Sequence, residues 1–89
     1  MTTNTTAVKA CALFETMMKP MMSLYDRWQD EHEYEDFNDY ADLLKKEVEL
    51  RNGVFVKATK RPFGFHFKVD DRTYAAKINA HQYSYVRIA

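Results

Sequence analysis

The spacing of apolar residues divides the chain into two halves. From Ala7 to Trp28 apolar residues recur every three or four positions, which is the period of an amphipathic helix. A second run with the same period extends from about Asp36 to Arg51, and the following Asn52-Gly53 is a typical C-terminal helix stop. The first half is therefore predicted to be helical.

Pro20 lies inside the first helical run. A proline within a helix removes one backbone hydrogen bond and clashes with the preceding turn, at a cost of about 3 kcal/mol. Because the apolar stripe keeps its phase across Pro20, two alternatives stay open. Either one helix kinks there, or Pro20 lies in the first turn of a second helix, so that two or three helices are expected in all.

After Gly53 the period of the pattern changes to two. Four short alternating runs, 54–59, 63–69, 73–78 and 83–88, are separated by turn sequences. They predict a four-stranded antiparallel β-meander whose more apolar face packs on the N-terminal helices, which is an α+β fold. A slip of one residue in any strand would exchange its two faces.

The alternation assigns residues to each face of the sheet. In the outer two strands, the face expected against the helices carries Val54, Val56 and Ala58 from the first strand and Ser84, Val86 and Ile88 from the last. The exposed face would then include Phe55 and the tyrosines of the last strand. This assignment decides which side chains could meet a ligand.

The length and composition fit one domain. We expect a flexible arm at 1–6 and a single α+β domain at 7–89, with a helical half at 7–51 and a sheet half at 54–88. Hydrophobic residues make up 46% of the chain and aromatic residues 15%, which suffices for a core without disulfides or metal. Thirteen aromatic residues exceed what so small a core needs, so some are expected to face solvent or a partner.

The cysteine content and the N-terminal residues bear on the compartment. Cys11 is the only cysteine and cannot form an internal disulfide, whereas small secreted domains usually carry several. The polar start of the chain does not resemble a signal peptide, and no apolar run approaches the roughly 18 residues needed to cross a bilayer. We therefore expect a cytoplasmic protein with no membrane association.

Charge is balanced over the whole chain but unevenly distributed. Residues 1–53 carry eleven acidic and six basic side chains, whereas residues 54–89 carry two acidic and seven basic ones. The helical half therefore has a net charge of −5 and the sheet half a net charge of +5. Such asymmetry indicates two surfaces of opposite sign and directs the search for partners.

The preferred functional hypothesis uses an acidic stretch with interleaved aromatic residues. It predicts a small non-enzymatic regulator or inhibitor, of the kind that phages and mobile elements encode, that engages a larger protein or nucleoprotein through a basic surface of that partner. The competing interpretation is that acids simply suit the N-terminus of a helix. The predicted protein-binding residues are Asp30, Glu31, Glu33, Tyr34, Glu35, Asp36, Phe37, Asp39 and Tyr40.

The alternative hypothesis is a nucleic-acid-binding domain that uses the exposed face of the sheet. Aromatic rings on a sheet can stack on bases of a single strand while lysine and arginine neutralise phosphates. An ordinary solvated face would have a similar composition, because lysine, threonine and tyrosine are common in strands. The predicted nucleic-acid-binding residues are Lys57, His66, Lys68, Lys77, Tyr83, Tyr85 and Arg87.

Catalytic, metal and cofactor sites are not expected. Cys11 lies in the apolar helical stripe, where a small buried thiol is the default, and neither serine occupies a nucleophile motif. The two glycines form no phosphate-binding loop, residues 30–42 lack the glycine of a calcium-binding loop, and the histidines have no zinc-ligand spacing. We therefore expect a protein that is not an enzyme and needs no cofactor or metal.

A cluster of four methionines allows two interpretations. Met17, Met18, Met21 and Met22 cannot all face one core from a single helix, so exposed members could form an interface with a partner or within a homodimer. Alternatively, their flexible side chains fill gaps around Pro20.

Overall fold

The chain folds into two helices packed on one face of a four-stranded sheet, as a computed structural model shows. Residues 5–31, 36–79 and 82–89 are described. The strands form an antiparallel meander in the order β1-β2-β3-β4, so the predicted α+β fold is confirmed. In chain order the elements are α1 (Thr5–Glu31), α2 (Phe37–Leu50), β1 (Val54–Lys60), β2 (Phe63–Val69), β3 (Arg72–Asn79) and β4 (Gln82–Arg87).

Helix α1 passes through Pro20 without a break, so a division into two helices at that residue is wrong. It begins at Thr5, inside the predicted arm, and its apolar stripe packs into the core that it shares with α2 and the sheet. The predicted phase is correct, because the buried residues of α1 follow one another at intervals of three or four: Ala10, Leu13, Met17, Met21 and Leu24. No helix within the described ranges is both long and apolar enough to cross a bilayer.

Local capping fixes both ends of α2. The side chain of Asp36 accepts a hydrogen bond from the backbone N–H of Asn38 at 3.0 Å, which caps the N-terminus. Beyond the C-terminus, Asn52 has a φ of 63° and the N–H of Gly53 donates to the carbonyl of Val48 at 3.1 Å. This is a Schellman motif with asparagine in the left-handed position, and it confirms the predicted stop.

The guanidinium of Arg51 connects the end of α2 to the middle of α1. It donates to the hydroxyl of Thr16 at 2.9 Å and to the carbonyl of the same residue at 3.1 Å. It also donates to the carbonyl of Glu47 at 2.7 Å and pairs with the carboxylate of that residue at 3.0 Å. These contacts join the two helices above the sheet.

Strands β2 and β3 form the centre of the sheet, and their predicted faces are correct. The side chains that lie against the helices are Phe63, Phe65, Phe67 and Val69 from β2 and Tyr74, Ala76 and Ile78 from β3. Position 64 has room only for glycine, because a Cβ atom there would overlap the carbonyl oxygen of Ala76 on β3. The close approach of these two strands therefore requires glycine.

The predicted faces of β4 are wrong. Tyr83 pairs with Ile78 and Tyr85 pairs with Ala76, and directly paired residues project to the same side of a sheet. The two tyrosines therefore lie on the helix side, while Val86 points outward and is 60% exposed. Aromatic rings remove more apolar surface from water than serine and valine do, which explains this register.

The predicted faces of β1 are wrong in its first half. Phe55 pairs with Phe67 and Lys57 pairs with His66, so Val56 is an extra residue in a β-bulge. Phe55 consequently packs against the core, whereas Val56 is 49% exposed. The bulge changes the alternation within the strand, which a pattern of strict period two does not reveal.

Candidate functional site

The outer face of the sheet is the most distinctive surface of the molecule. Of the seven predicted nucleic-acid-binding residues, it contains four: Lys57, His66, Lys68 and Lys77. We call these four residues the basic sheet face. Both described helices pack on the opposite side of the sheet, and the three lysines are exposed.

The other three predicted residues do not belong to this face. Tyr83 and Tyr85 lie on the helix side, where both rings contact Phe14 of α1. Burial raises the pKa of the Tyr83 phenol. Arg87 pairs with Tyr74 and also lies on the helix side, although its side chain is exposed at the end of β4. The prediction that all seven share one surface is therefore wrong for these three.

The register of the strands places His66 at the centre of the basic sheet face. Lys57 is its direct partner on β1, and Lys68 follows two residues later on the same strand. Lys77 lies diagonally opposite on β3, since His66 pairs with Ala75. A directly paired position such as Lys57 lies about 5 Å away, and the diagonal position and the position two residues along lie about 7 Å away, so all three lysines are close neighbours of the histidine.

The histidine is affected by this cationic environment. Partial burial lowers the pKa of His66, and the positive charge of Lys57 lowers it further. Both effects disfavour the protonated imidazole in the folded protein. An anion bound between the lysines would act in the opposite direction, because it would stabilise the protonated form.

No acidic side chain lies on the described outer face of the sheet. The two acids of the sheet half, Asp70 and Asp71, lie in the turn between β2 and β3. Asp70 accepts a hydrogen bond from the hydroxyl of Thr6 at 2.7 Å and lies 3.7 Å from the ammonium of Lys9. The Thr6 hydrogen bond and the Lys9 charge hold the pKa of the Asp70 carboxyl below its usual range. Asp70 is therefore engaged with α1 and does not neutralise the basic sheet face.

Among the described residues, the predicted acidic-aromatic surface keeps three exposed acids but loses two of its aromatic anchors. The side chains of Asp30, Asp36 and Asp39 are exposed. Tyr40 is completely buried, and Phe37 is half-buried and packs on the core. Of the remaining predicted residues, Glu33, Tyr34 and Glu35 lie outside the described ranges, and Glu31 is described only by its backbone.

An open groove beside the sheet contains residues that no sequence pattern assigns to a site. It lies where the last turns of α1 meet the turn between β1 and β2, and it is lined by Tyr25, Trp28, Lys60 and Arg61 among others. These residues come from distant segments, so no local pattern joins them. The only sequence signal is the basic turn Lys60-Arg61-Pro62, which is equally typical of a simple connection between strands.

The methionine cluster contributes mainly to the core. Met17 and Met21 are buried and Met22 packs against the core, whereas Met18 is 44% exposed. The packing of three members supports the gap-filling interpretation. Homodimerisation stays a prediction.

The described residues contain no group of three or more histidine, cysteine, aspartate or glutamate side chains placed to hold a metal ion. Comparisons of the chain with protein-family models, with curated proteins and with solved structures find no match. Functional inference therefore depends on the surfaces of this chain alone.

Proposed function

We propose that this protein binds nucleic acid through the basic sheet face, with lysine–phosphate contacts as the main source of affinity. One observation supports the proposal above all: an open sheet surface carries three exposed lysines around a histidine and no described acid. Charge of a single sign on an uncovered surface favours a polyanion. Because no described tyrosine lies on this face, base stacking contributes little there.

The zero net charge of the chain does not oppose this function. Electrostatic interactions at physiological salt decay over about 8 Å, and the helices that carry the exposed acids are each about 10 Å thick. Strands of nucleic acid on the outer face would therefore experience the lysines far more strongly than the acids on the far side of α1 and α2. The relevant quantity is the local charge of the sheet face.

Fluorescence anisotropy with labelled oligonucleotides tests the proposal. We expect binding at low salt that weakens steeply as the salt concentration rises, because lysine–phosphate contacts release counterions. Absence of binding at low salt to both single-stranded and duplex oligonucleotides would contradict the proposal.

A second candidate is the protein-binding regulator or inhibitor, with a basic protein or nucleoprotein as its partner. It is favoured by exposed acids where α1 ends and α2 begins, namely Asp26, Asp30, Asp36, Asp39 and Asp42. Such a cluster would accelerate association with a basic surface. For either function we propose a cytoplasmic location, which suits the free thiol of Cys11.

Affinity capture of partners from a lysate tests the protein-binding function. Replacing Asp30, Asp39 and Asp42 together by asparagine should abolish capture of a basic partner. Asp36 is not changed in this variant, because it caps the N-terminus of α2. The matched control replaces three exposed acids elsewhere, Glu15, Glu49 and Asp71, by their amides. Equal capture by both triple variants would contradict this function.

A further inference from the structure

The groove beside the sheet has an apolar floor and an aromatic wall. Its volume is about 910 Å³, which is within the range of sites for small organic ligands. The buried side chains of Phe63 and Ile78 form the floor, and the half-buried rings of Tyr25 and Trp28 form one wall. These rings are held in place by their neighbours, because Phe63 lies 5.8 Å from Tyr25 and 6.5 Å from Trp28 between ring centroids.

Basic side chains form part of the lining of this groove, and the exposed acids on the last turns of α1 lie outside that lining. Lys60, Arg61 and Lys77 line the groove and are exposed, and none of its described lining residues is acidic. The amide side chain of Asn79 lies on the same lining and can donate and accept hydrogen bonds, whereas that of Gln29 donates to the hydroxyl of Tyr25 at 2.6 Å. A ligand that complements this site has a flat apolar ring with polar edges and at least one negative charge.

The groove is continuous with the basic sheet face through one shared residue. Lys77 belongs to that face, where it pairs with Gly64, and it also lines the groove. A strand whose phosphates follow Lys68, Lys57 and Lys77 would therefore reach the groove at its end. The positions of the lysines thus lead an extended polyanion to the aromatic wall.

We propose that the groove binds a nucleobase of single-stranded nucleic acid, with the adjacent phosphates held by Lys60, Arg61 and Lys77. This inference rests on the proposed function and specifies its ligand as a single strand. A base in a duplex is stacked on its neighbours and cannot enter the groove, whereas an unpaired base can stack on an aromatic side chain. Tyr25 and Trp28 supply this stacking surface, which Tyr83 and Tyr85 do not.

The test uses two signals in one titration of the full chain. Trp28 is the only tryptophan of the protein, so its intrinsic fluorescence reports on the groove, while the anisotropy of a labelled strand reports on binding anywhere. The ligands are a single strand of about ten nucleotides, the duplex of the same length, and an abasic phosphodiester of the same length and charge. We expect the single strand to quench Trp28 and to bind at least about fivefold more tightly than the abasic strand.

Substitutions locate the effect in the groove. Tyr25→Leu keeps an apolar side chain but removes a stacking ring, so it should weaken binding of the base-containing strand and leave the abasic strand unchanged. Arg61→Ala alters an exposed turn residue and should weaken both strands. The matched control Lys46→Ala removes an exposed charge from α2 and should change neither.

The outcomes separate this inference from the proposed function. If the single strand and the abasic strand bind equally well and Trp28 fluorescence does not change, the groove holds no base, although nucleic-acid binding stands. If no strand binds at low salt by anisotropy, the proposed function fails, and the groove proposal fails with it. Trp28 quenching combined with a selective loss of the base-containing strand in Tyr25→Leu supports both.

Discussion

The ring of Phe14 on α1 stacks on the ring of Tyr83 on β4, with their centroids 4.0 Å apart and their planes 9° from parallel. Tyr85 extends this contact, with its centroid 4.2 Å from that of Phe14. The aromatic residues of β4 therefore attach this edge strand to the helix layer. On the outer side of the sheet, the exposed lysines share the surface with exposed valines, among them Val54 and Val86.

Removal of the Tyr83 ring should destabilise the fold. Tyr83→Ala is expected to lower the free energy of unfolding by about 3 kcal/mol, since an aromatic side chain packed on Phe14 is lost. Tyr83→Phe should change it by less than about 1 kcal/mol, because the ring is kept and the buried hydroxyl has no hydrogen-bond partner among the described residues. Urea denaturation followed by circular dichroism measures both.

Val86→Ala is the matched control on the same strand. Its side chain points to solvent, so the expected change is within about 0.5 kcal/mol. If Tyr83→Ala were as stable as wild type and Val86→Ala were destabilised, the helix side of β4 would carry Val86 in place of Tyr83.

The contacts of Arg51 predict a second effect on stability. Arg51→Lys should lower the free energy of unfolding by about 1–2 kcal/mol, because an ammonium cannot bind the two oxygens of Thr16 and the Glu47 carbonyl together as the forked guanidinium does. Chemical denaturation of Lys46→Arg, an exposed change on the same helix, provides the comparison and should show almost no effect. Equal stability of Arg51→Lys and wild type would show that the guanidinium does not hold the two helices together.

His66 should make nucleic-acid binding depend on pH. Partial burial and the charge of Lys57 disfavour protonation of His66, with Lys68 and Lys77 also on the same face, whereas a bound phosphate favours it. Affinity for an oligonucleotide is therefore expected to rise as the pH falls from about 7.5 to about 5.5. His66→Gln should remove this part of the pH dependence, whereas an unchanged profile in that variant would assign the effect to another group.

His66 should also make stability depend on pH, but in the opposite direction: acidification should strengthen nucleic-acid binding and weaken the fold. Because the pKa of His66 is lower in the folded protein than in the unfolded chain, the unfolded chain binds the proton more readily. The penalty is absent above the ordinary histidine pKa of about 6.5 and develops as the pH falls below it. Without a ligand, His66→Gln should thus lose less stability than wild type between about pH 7 and pH 5, as denaturation at several pH values will measure.

The parts of the fold that sequence predicted correctly depend on local signals. The helical period leading to Leu24 and the stop at Asn52-Gly53 arise from neighbouring residues, and both are present in the structure. The alternation in β2 is equally clear, since every second residue from Phe63 to Val69 is large and apolar. Where one face of an element is clearly more apolar than the other, the sequence alone predicts which face is buried.

The sequence did not predict the structure where the two faces of a strand have similar polarity, or where residues distant in the chain come into contact. In β4 both faces contain apolar side chains, and the tyrosines turn inward because their rings pack on residues distant in sequence, Phe14 of α1 and Tyr74 of β3. In β1 the bulge at Val56 leaves no trace in a pattern of period two. The groove brings together Trp28 of α1, Arg61 of the turn between β1 and β2, and Asn79 at the end of β3. Only the tertiary fold places these residues side by side.

The measurement that tests the central claim most directly is the salt dependence of oligonucleotide binding by two triple variants. One replaces Lys57, Lys68 and Lys77 of the basic sheet face by alanine, and the other replaces three exposed lysines of the helix layer, Lys19, Lys45 and Lys46. Both lose the same net charge. Anisotropy titrations between about 50 and about 200 mM salt give the slope of log affinity against log salt concentration.

Loss of the three sheet lysines should weaken binding strongly and reduce the magnitude of this slope for a single strand by about two, whereas the helix-layer variant should retain the wild-type slope. If the two variants behave alike, or if the helix-layer variant is the weaker, the sheet face is not where the polyanion binds.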